Sequence, residues 1–554
     1  KINWLSEDPV WVDQWPLTQK KLQILNKLVD EQLELKHIAP SVSPWNSPVF
    51  IIQKSSGKWR LLTDLRQVNT RMESMGSIQP GMPSLTQLPA GWPLVVIDLK
   101  DCFFHILLRP EDRPKFAFSV PAVNAEAPNR RFEWCVLPQG MKNSPTLCQM
   151  YVSKVLKPLR RQCAEAVILH YMDDIVICAK EQSTVNTALQ LALQILSTNN
   201  LAVSKEKIQY AEAWKYLGWT VTSSTIIPQQ IKLKRDISTL NDLQKLLGTI
   251  NWIRPIVGIT TDELHPLFKL LKGDPQLSSP RKLTPEALNA LDLVEKKLTS
   301  ITPNRKIEGV SPSFVIFLGK MQPFGILDKS VCLWEWIFLP HQFSKTVTTF
   351  VEMIGQLIFK GRTRCWELCG QEPQMIYLPL SSERLSQMLT VSTEFQIAIA
   401  EFEGQISYHI PQNKVLQAIG DLPVQLKFMQ SDKPIPDAKN IFTDGSGRTG
   451  NAVVVWQENG SWKQDVHRVE GSPQIVELSA VVRAFFLFKN EPINLISDSA
   501  YVIGIVKRIE HSYLKNINND LLFSLFQMLL FLINHRTHQF FAVHIKAHTT
   551  LPGP

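Results

Sequence analysis

The sequence predicts a multidomain α/β protein, and three observations carry that reading. At 554 residues the chain is too long for a single hydrophobic core, so about three to five folding units are expected. A hydrophobic fraction of 44% with 20% charged residues is the composition of a folded chain. Short apolar runs bounded by turn residues alternate with stretches of helical period, the pattern of sheets with helices packed on them.

Within Leu17–Ile38, the residues Leu22, Leu25, Leu28, Val29 and Leu33 recur at helical spacing, and Pro40, Pro44 and Pro48 stop the helix. Val49–Lys54 and Lys58–Leu62, joined by Ser55-Ser56-Gly57, read as a β-hairpin. Leu94–Asp98 is a short buried strand ending on a carboxylate. Ala166–Tyr171 and Asp174–Ala179 are two strands meeting at the acidic turn Met172-Asp173, and Val185–Ser197 is helical. Trp214–Val221 reads as one strand containing a glycine. From about 229 to 300 the pattern is helical, with Pro255, Pro266 and Pro280 as breaks, and a mixed, aromatic-rich stretch runs to about 420. Asp432–Asp437 looks like a linker. Beyond it come strands Asn440–Thr443 and Ala452–Gln457, helix Ile475–Lys489, strand Ile493–Ser497, a long helix near 514–535 and strand Phe540–Ile545. The segment FVIFLGK at 314–320 parallels NIFTDGS at 440–446, with Leu318 opposite Asp444, a faint sign of an internal repeat.

The formal net charge of +9 and pI near 9.0 suit a polyanionic partner, although a basic enzyme without one has the same balance. Eight cysteines in this length do not make a disulfide framework. Cys102, Cys135, Cys148 and Cys178 read as buried free thiols. Cys365 and Cys369 lack the nearby His or second Cys pair of a zinc site, and a reducing compartment is expected. Leu521–Ile533, the longest apolar run, is too short to span a bilayer and reads as a core helix. The N-terminus has no initiator Met and no signal-peptide pattern, as expected of a proteolytic product or a trimmed chain.

Two sets of carboxylates carry the chemistry. Asp98 ends an expected strand, and Asp173 and Asp174 sit at an expected hairpin tip. Phosphoryl transfer needs charge neutralised on attacking and leaving oxygens together. Two divalent ions about 3.5–4 Å apart do this, held by bridging carboxylates. An Asp-Asp pair alone is equally ordinary turn chemistry. In the second set, Asp444 and Asp498 end expected strands and Glu477 lies on the helix between them. These three can converge at one end of a sheet, hold two metals and activate water to cut a phosphodiester.

The surrounding motifs favour the chemical reading. YMDD at 171–174, LPQGMKNSP at 137–145, VIDLKDCFFHILL at 96–108 and YLGW at 216–219 occur together with SPWNSPVFIIQKSSGKWRLLTDLRQVN at 43–69 and LNDLQKLLGTINWIRP at 240–255. In this order they resemble the retroviral reverse transcriptases, most of all those of betaretroviruses and related endogenous elements. The resemblance covers essentially the whole chain. It implies a right-hand polymerase fold with fingers at 1–83 and 106–143, palm at 84–105 and 144–223, and thumb at 224–304. An RNase H-like connection domain without catalytic acids would follow at 305–431, then RNase H at 432–554.

The resemblance assigns roles as well. Asp98, Asp173 and Asp174, with the backbone of Leu99, would hold two Mg²⁺ ions, Mn²⁺ being a substitute. Lys54 and Arg60 would grip the triphosphate of the incoming deoxynucleotide, with Asp101, Cys102, Gln139 and Met172 around it. Phe103 would lie beneath the sugar, where a ring clashes with a 2′-hydroxyl. Leu217 and Gly218 match the primer grip, and Gly248 and Trp252 the thumb helix that follows the template–primer minor groove. Taken alone, Phe103 and Trp252 are core aromatics and Gly218 a turn marker. In the second centre Asp444, Glu477 and Asp498 would be metal ligands, Ser499 and Tyr501 would touch nucleic acid, and His548 would assist hydrolysis. The family's fourth carboxylate lies beyond Pro554, so RNase H activity is expected to be weak or absent.

Implied partners are an RNA template, a DNA primer, an RNA–DNA hybrid, deoxynucleotides and a tRNA primer, in a virion or host cytoplasm without membrane association. Both homodimers and heterodimers fit the family. A competing reading is a dead element product kept as a nucleic-acid-binding or assembly subunit, against which the intact acids argue. Group II intron and telomerase-type enzymes lack a tethered RNase H unit.

Overall fold

The computed structural model describes residues 2–53, 57–76, 82–123, 126–229, 231, 233–300, 305, 311–329, 332–408, 416, 419 and 426–546. The chain divides into two compact units, 1–229 and 230–554.

In the first unit, helix α1 (Gln19–Glu34) starts at Thr18, whose hydroxyl accepts from Lys21 N, and it buries Leu22, Leu25 and Val29. That stripe joins a core with Ile38 and Ile51, on strands β1 (Ile38–Pro40) and β2 (Val49–Gln53), and with Leu61 on β3 (Trp59–Thr63). The expected hairpin is the antiparallel β2–β3 pair, followed by the short helix α2 (Arg66–Thr70). Strand β4 (Leu94–Asp98) comes next. Strands β5 (Ala117–Val120) and β6 (Arg130–Trp134) then complete a three-stranded sheet in the order β1-β6-β5.

The central sheet has the order β4-β8-β7, with β7 (Val167–Tyr171) and β8 (Asp174–Cys178) forming a tight hairpin. Helices α3 (Ser144–Gln162) and α4 (Gln182–Thr198) back it, burying Cys148, Val152, Leu156, Val185 and Leu189 against Val95, Ile97, Ile175 and Ile177. The single strand expected at 214–221 is two strands. β9 (Trp214–Tyr216) and β10 (Trp219–Val221) pair antiparallel, and β11 (Ile226–Pro228) extends their sheet. Leu217 at φ 45° and Gly218 at φ 80° make the turn. A two-residue hairpin turn with both residues in the left-handed region is the tight solution that suits strand twist, and glycine makes it cheap.

The second unit begins with α5 (Leu240–Val257), α6 (Thr261–Lys269) and α7 (Pro285–Ser300). Pro255 and Pro266 lie inside α5 and α6, so they do not break the helices as expected. Reciprocal capping boxes, Thr239 with Asp242 and Thr260 with Glu263, fix both starts. Burial of Leu243, Leu247, Ile250, Ile253, Leu264 and Leu267 outweighs the hydrogen bond that each proline removes.

Two five-stranded sheets follow. The first has order β14-β13-β12-β16-β17, built from β12 (Ser313–Phe317), β13 (Phe324–Lys329), β14 (Cys332–Phe338), β16 (Met375–Tyr377) and β17 (Gln405–Ser407). Between β14 and β16 come the short strand β15 (Val347–Thr348) and helix α8 (Phe350–Cys369). Helices α9 (Ser382–Val391) and α10 (Thr393–Ile399) precede β17. The second sheet, β20-β19-β18-β21-β23, uses β18 (Lys439–Ser446), β19 (Asn451–Glu458), β20 (Ser461–Arg468), β21 (Ile493–Ser497) and β23 (Phe540–His544). Its helices are α11 (Pro473–Leu487), α12 (Ala500–Ile509) and α13 (Asp520–Asn534), and β22 (Tyr513–Leu514) pairs with β15.

In both sheets the first strand is central, antiparallel to the second and parallel to the fourth. The third strand is antiparallel to the second, and the fifth parallel to the fourth. The faint repeat thus marks two copies of one topology. Among the described residues, no helix is long and apolar enough to cross a membrane.

Phe314 on β12 shows how tightly the first of these sheets packs. It is fully buried, and a Cβ added at Gly325 on β13 or at Gly361 on α8 would stand 2.2 or 2.5 Å from its ring. Gly361→Ala is therefore expected to destabilise this region by about 1–3 kcal/mol through overpacking. Adding Phe314→Leu should return part of that loss. Thermal unfolding of the single and double variants measures the coupling, and additive losses would contradict it.

Candidate active site

Strand β4 lays Asp98 directly opposite Asp174 in the antiparallel register. Asp173 stands one residue earlier, in the two-residue turn whose ends Tyr171 and Asp174 pair. The turn needs a left-handed residue, which Met172 supplies at φ 54°. Two hydrogen bonds lock it. Leu99 N donates to Asp173 O at 2.8 Å, and Met172 N donates to Gln149 Oε1 at 2.7 Å. The three acids expected from the sequence are therefore brought together, at one end of a sheet.

Their electrostatics follow from that crowding. Burial holds the Asp173 carboxyl above the usual carboxylate range, and Asp98 adds to the effect. Asp174 is pushed up to about 6, first by burial and then by Asp173 and Asp98. Asp98 has a cation of its own. Lys207 Nζ donates to Asp98 Oδ1 at 2.8 Å, and Ser204 Oγ donates to the same oxygen at 2.9 Å.

A cavity of about 680 Å³ opens beside this cluster. Arg60, Asp98, Leu99, Asp101, Cys102, Phe103, Gln139, Met172 and Asp173 all line it, together with Lys58, Ser204 and Lys207. Phe103 and Cys102 lie on a 3₁₀ turn at Cys102–His105 that Asp101 enters at φ 46°. Lys54 lies outside the described residues. Sequence reasoning missed Ser204, Lys207 and Gln149, which stand 23 to 109 residues from the groups they bond. Local spacing carries no signal for such contacts.

Among the described residues, no three His, Cys, Asp or Glu side chains close round a point as a finished metal cage. In the first centre Asp98 is turned to Lys207 and Ser204. The donor set nevertheless fits a divalent cation. It consists of hard carboxylate oxygens, two of them on groups whose ionisation is opposed first by burial and then by neighbouring carboxylates.

The remaining candidates are placed as follows. Leu217 and Gly218 form the β9–β10 turn, and Gly218 O accepts from Gln229 N at 2.9 Å. In the other unit, Gly248 is exposed on α5 with open space where a Cβ would stand, and Trp252, one turn on, is half-buried.

The second set of acids also converges. Thr443 pairs with Ser497 in parallel register, so Asp444 and Asp498, each one residue on, lie at the same end of neighbouring strands. A Cβ at Gly445 would stand 2.5 Å from Glu477 N, so the strand meets α11 at Glu477 with no room for a side chain. Ser499 is buried and caps α12, its hydroxyl accepting from Val502 N at 3.3 Å, while Tyr501 is partly exposed. His548 lies outside the described residues. His544, which sequence reasoning passed over, pairs its Nε2 with Asp498 O at 3.1 Å.

Two carboxylate centres on separate sheets thus define a polymerase-like palm joined to a nuclease-like fold. Comparison with known proteins agrees. Residues 52–221 match the family model for reverse transcriptase (RNA-dependent DNA polymerase) and 228–292 the reverse transcriptase thumb domain. Residues 320–416 match an ERVK-8-like, RNaseH-like domain and 436–553 match RNase H. The whole chain is 41% identical to part of the Gag-Pro-Pol polyprotein of mouse mammary tumor virus and 40% identical to part of that of sheep pulmonary adenomatosis virus. It is 39% identical to part of the Pol-related polyprotein of a mouse intracisternal A-particle. The chain spans 31%, 32% and 63% of these three proteins respectively. The chain therefore carries reverse transcriptase, thumb and RNase H domains similar to those of retroviral Pol polyproteins.

The raised Asp174 pKa has a stability consequence. A carboxyl whose folded pKa exceeds its unfolded value stabilises the fold below about pH 4, and that contribution is lost as pH rises through about 6. At pH 7 without divalent metal, Asp174→Asn should therefore raise stability, by on the order of 1 kcal/mol, because solvent screens the partly exposed carboxylate. Denaturation in chelator across pH 4–7 checks this, and a destabilised variant at pH 7 would contradict it.

Proposed function

We propose that this chain is an RNA- and DNA-directed DNA polymerase that adds deoxynucleotides to a primer 3′ end, tethered to an RNase H domain that acts on RNA–DNA hybrids. The observation that carries this reading is Asp98 opposed to Asp174, with Asp173 at the hairpin tip on the wall of a cavity lined by Arg60, Phe103 and Gln139. Fingers, palm, thumb, connection and RNase H follow the boundaries given above. The partners are template, primer and hybrid, with a tRNA primer, and the setting is a virion or host cytoplasm.

Asp98, Asp173 and Asp174, with Leu99 O, would hold divalent cations, Mg²⁺ for choice with Mn²⁺ as substitute. When bound, such ions neutralise charge on the attacking and leaving oxygens. The chain's own residues do the rest. Arg60 offers a planar fork to the triphosphate. Gln139 and the backbone around Asp101 and Met172 orient the nucleotide. Phe103 occupies the space a 2′-hydroxyl would need. Leu217 and Gly218 hold the primer end, and the open surface at Gly248 on α5 admits a duplex backbone.

For the second centre, Asp444, Glu477 and Asp498 would hold metal, with Tyr501 nearer the hybrid, Ser499 shaping the α12 start and His548 assisting hydrolysis.

Primer extension on an RNA template with Mg²⁺ tests the reading. Asp173→Asn should cut turnover by about 10³-fold or more, several kcal/mol of transition-state stabilisation. Phe103→Val should narrow discrimination against ribonucleotides by about tenfold or more. Binding of template–primer without extension by the unmodified chain would favour a scaffold role instead.

A further inference from the structure

Cys102 and Cys148 are 46 residues apart, yet their sulfurs stand 3.2 Å from each other. Non-bonded carbon atoms pack best at about 3.5–4.0 Å, and sulfur is larger than carbon, so this pair is closer than packing alone requires. Cys102 is 5% exposed and Cys148 fully buried, but both belong to the wall of the 680 Å³ cavity, which gives a small oxidant a route in. The two residues also sit at informative places. Cys102 opens the turn carrying Phe103 and follows Asp101 at its left-handed φ of 46°. Cys148 lies on α3 next to Gln149, whose side chain holds the Met172 turn at 2.7 Å. Closing the sulfurs from 3.2 Å to the disulfide length of about 2.05 Å pulls these two supports together.

We propose that Cys102 and Cys148 form an oxidisable dithiol site in the wall of the nucleotide cavity, which hydrogen peroxide closes to a disulfide that impairs nucleotide insertion and which added thiol reopens. The effect on insertion rests on the polymerase reading above; the site itself does not. Cys148 Sγ, giving up its proton, attacks one peroxide oxygen. The O–O bond breaks, leaving a sulfenic acid and one water. Cys102 Sγ, giving up its proton, then attacks that sulfur, the S–O bond breaks and a second water leaves. Two thiols lose two electrons and two protons, and one peroxide becomes two waters. The hydrogen bond with Cys148, burial and Asp173 all hold the Cys102 proton firmly, so the reaction is slow and needs excess oxidant.

The full chain is treated with hydrogen peroxide, alkylated, digested and weighed, and primer extension is measured before and after dithiothreitol. Expected are a linked Cys102–Cys148 peptide and a fall in deoxynucleotide incorporation on the order of fivefold, with a raised KM for nucleotide. Dithiothreitol should reverse both, and template–primer with nucleotide should slow linkage. Cys148→Ser and Cys148→Ala, each compared with its own reduced activity, should lose the reversible component. Inactivation without the linked peptide, or linkage without any loss of incorporation, overturns the proposal. A reduced wild-type chain that extends no primer would sink the polymerase reading separately, while the peptide masses still decide whether the dithiol forms.

Discussion

Repulsion among Asp98, Asp173 and Asp174 is the constraint on which the first unit's architecture turns. Three carboxylates cannot crowd at one sheet end cheaply, and burial sharpens the conflict, raising Asp174 to about 6. The protein keeps them there by making the backbone indifferent to the repulsion. Asp98 and Asp174 are fixed by strand register, and the Met172 turn is pinned through Gln149 and Leu99. A buried apolar layer of Ile97, Ile175, Ile177, Cys148 and Val152 stiffens the sheet behind them. The charge is answered in part by Lys207, which bonds Asp98 alone. What remains is negative charge gathered at one sheet end, the donor set that the proposed function assigns to divalent cations.

The second unit solves two problems with one topology. Both five-stranded sheets share order and strand sense. In one, β12 runs directly into buried Leu318, and the core closes on Phe314. In the other, the equivalent strand carries Asp444 and gives way to Gly445, which lets Glu477 come against it. The same frame thus yields a packed support in one copy and a carboxylate cluster in the other, and a few side chains at one strand end separate them.

Much of this was legible because the signals were local. Strand ends carrying acids, the hairpin at Met172-Asp173, the amphipathic helices α1 and α4 and the largely apolar helix α11 follow from apolar spacing and turn chemistry over a few residues. Strand β20 escaped because its residues are mostly polar and exposed, as befits a sheet edge. Helix α12 was hidden by its brevity and by the chemistry read into SDSAYV. Pro255 and Pro266 misled because tertiary burial overrode a local breaker. Ser204, Lys207, Gln149 and the Cys102–Cys148 contact depend on segments meeting in three dimensions. Their pairing leaves no trace in spacing.

The central claim is that these acids form a cluster waiting for metal, with Lys207 standing in on Asp98. Anomalous diffraction from crystals soaked in Mn²⁺ tests it most directly. The account predicts Mn²⁺ peaks flanked by Asp98 and Asp173, with Lys207 Nζ moved off Asp98 Oδ1. Mn²⁺ bound only elsewhere, with the Lys207–Asp98 pair undisturbed at saturating metal, would contradict it.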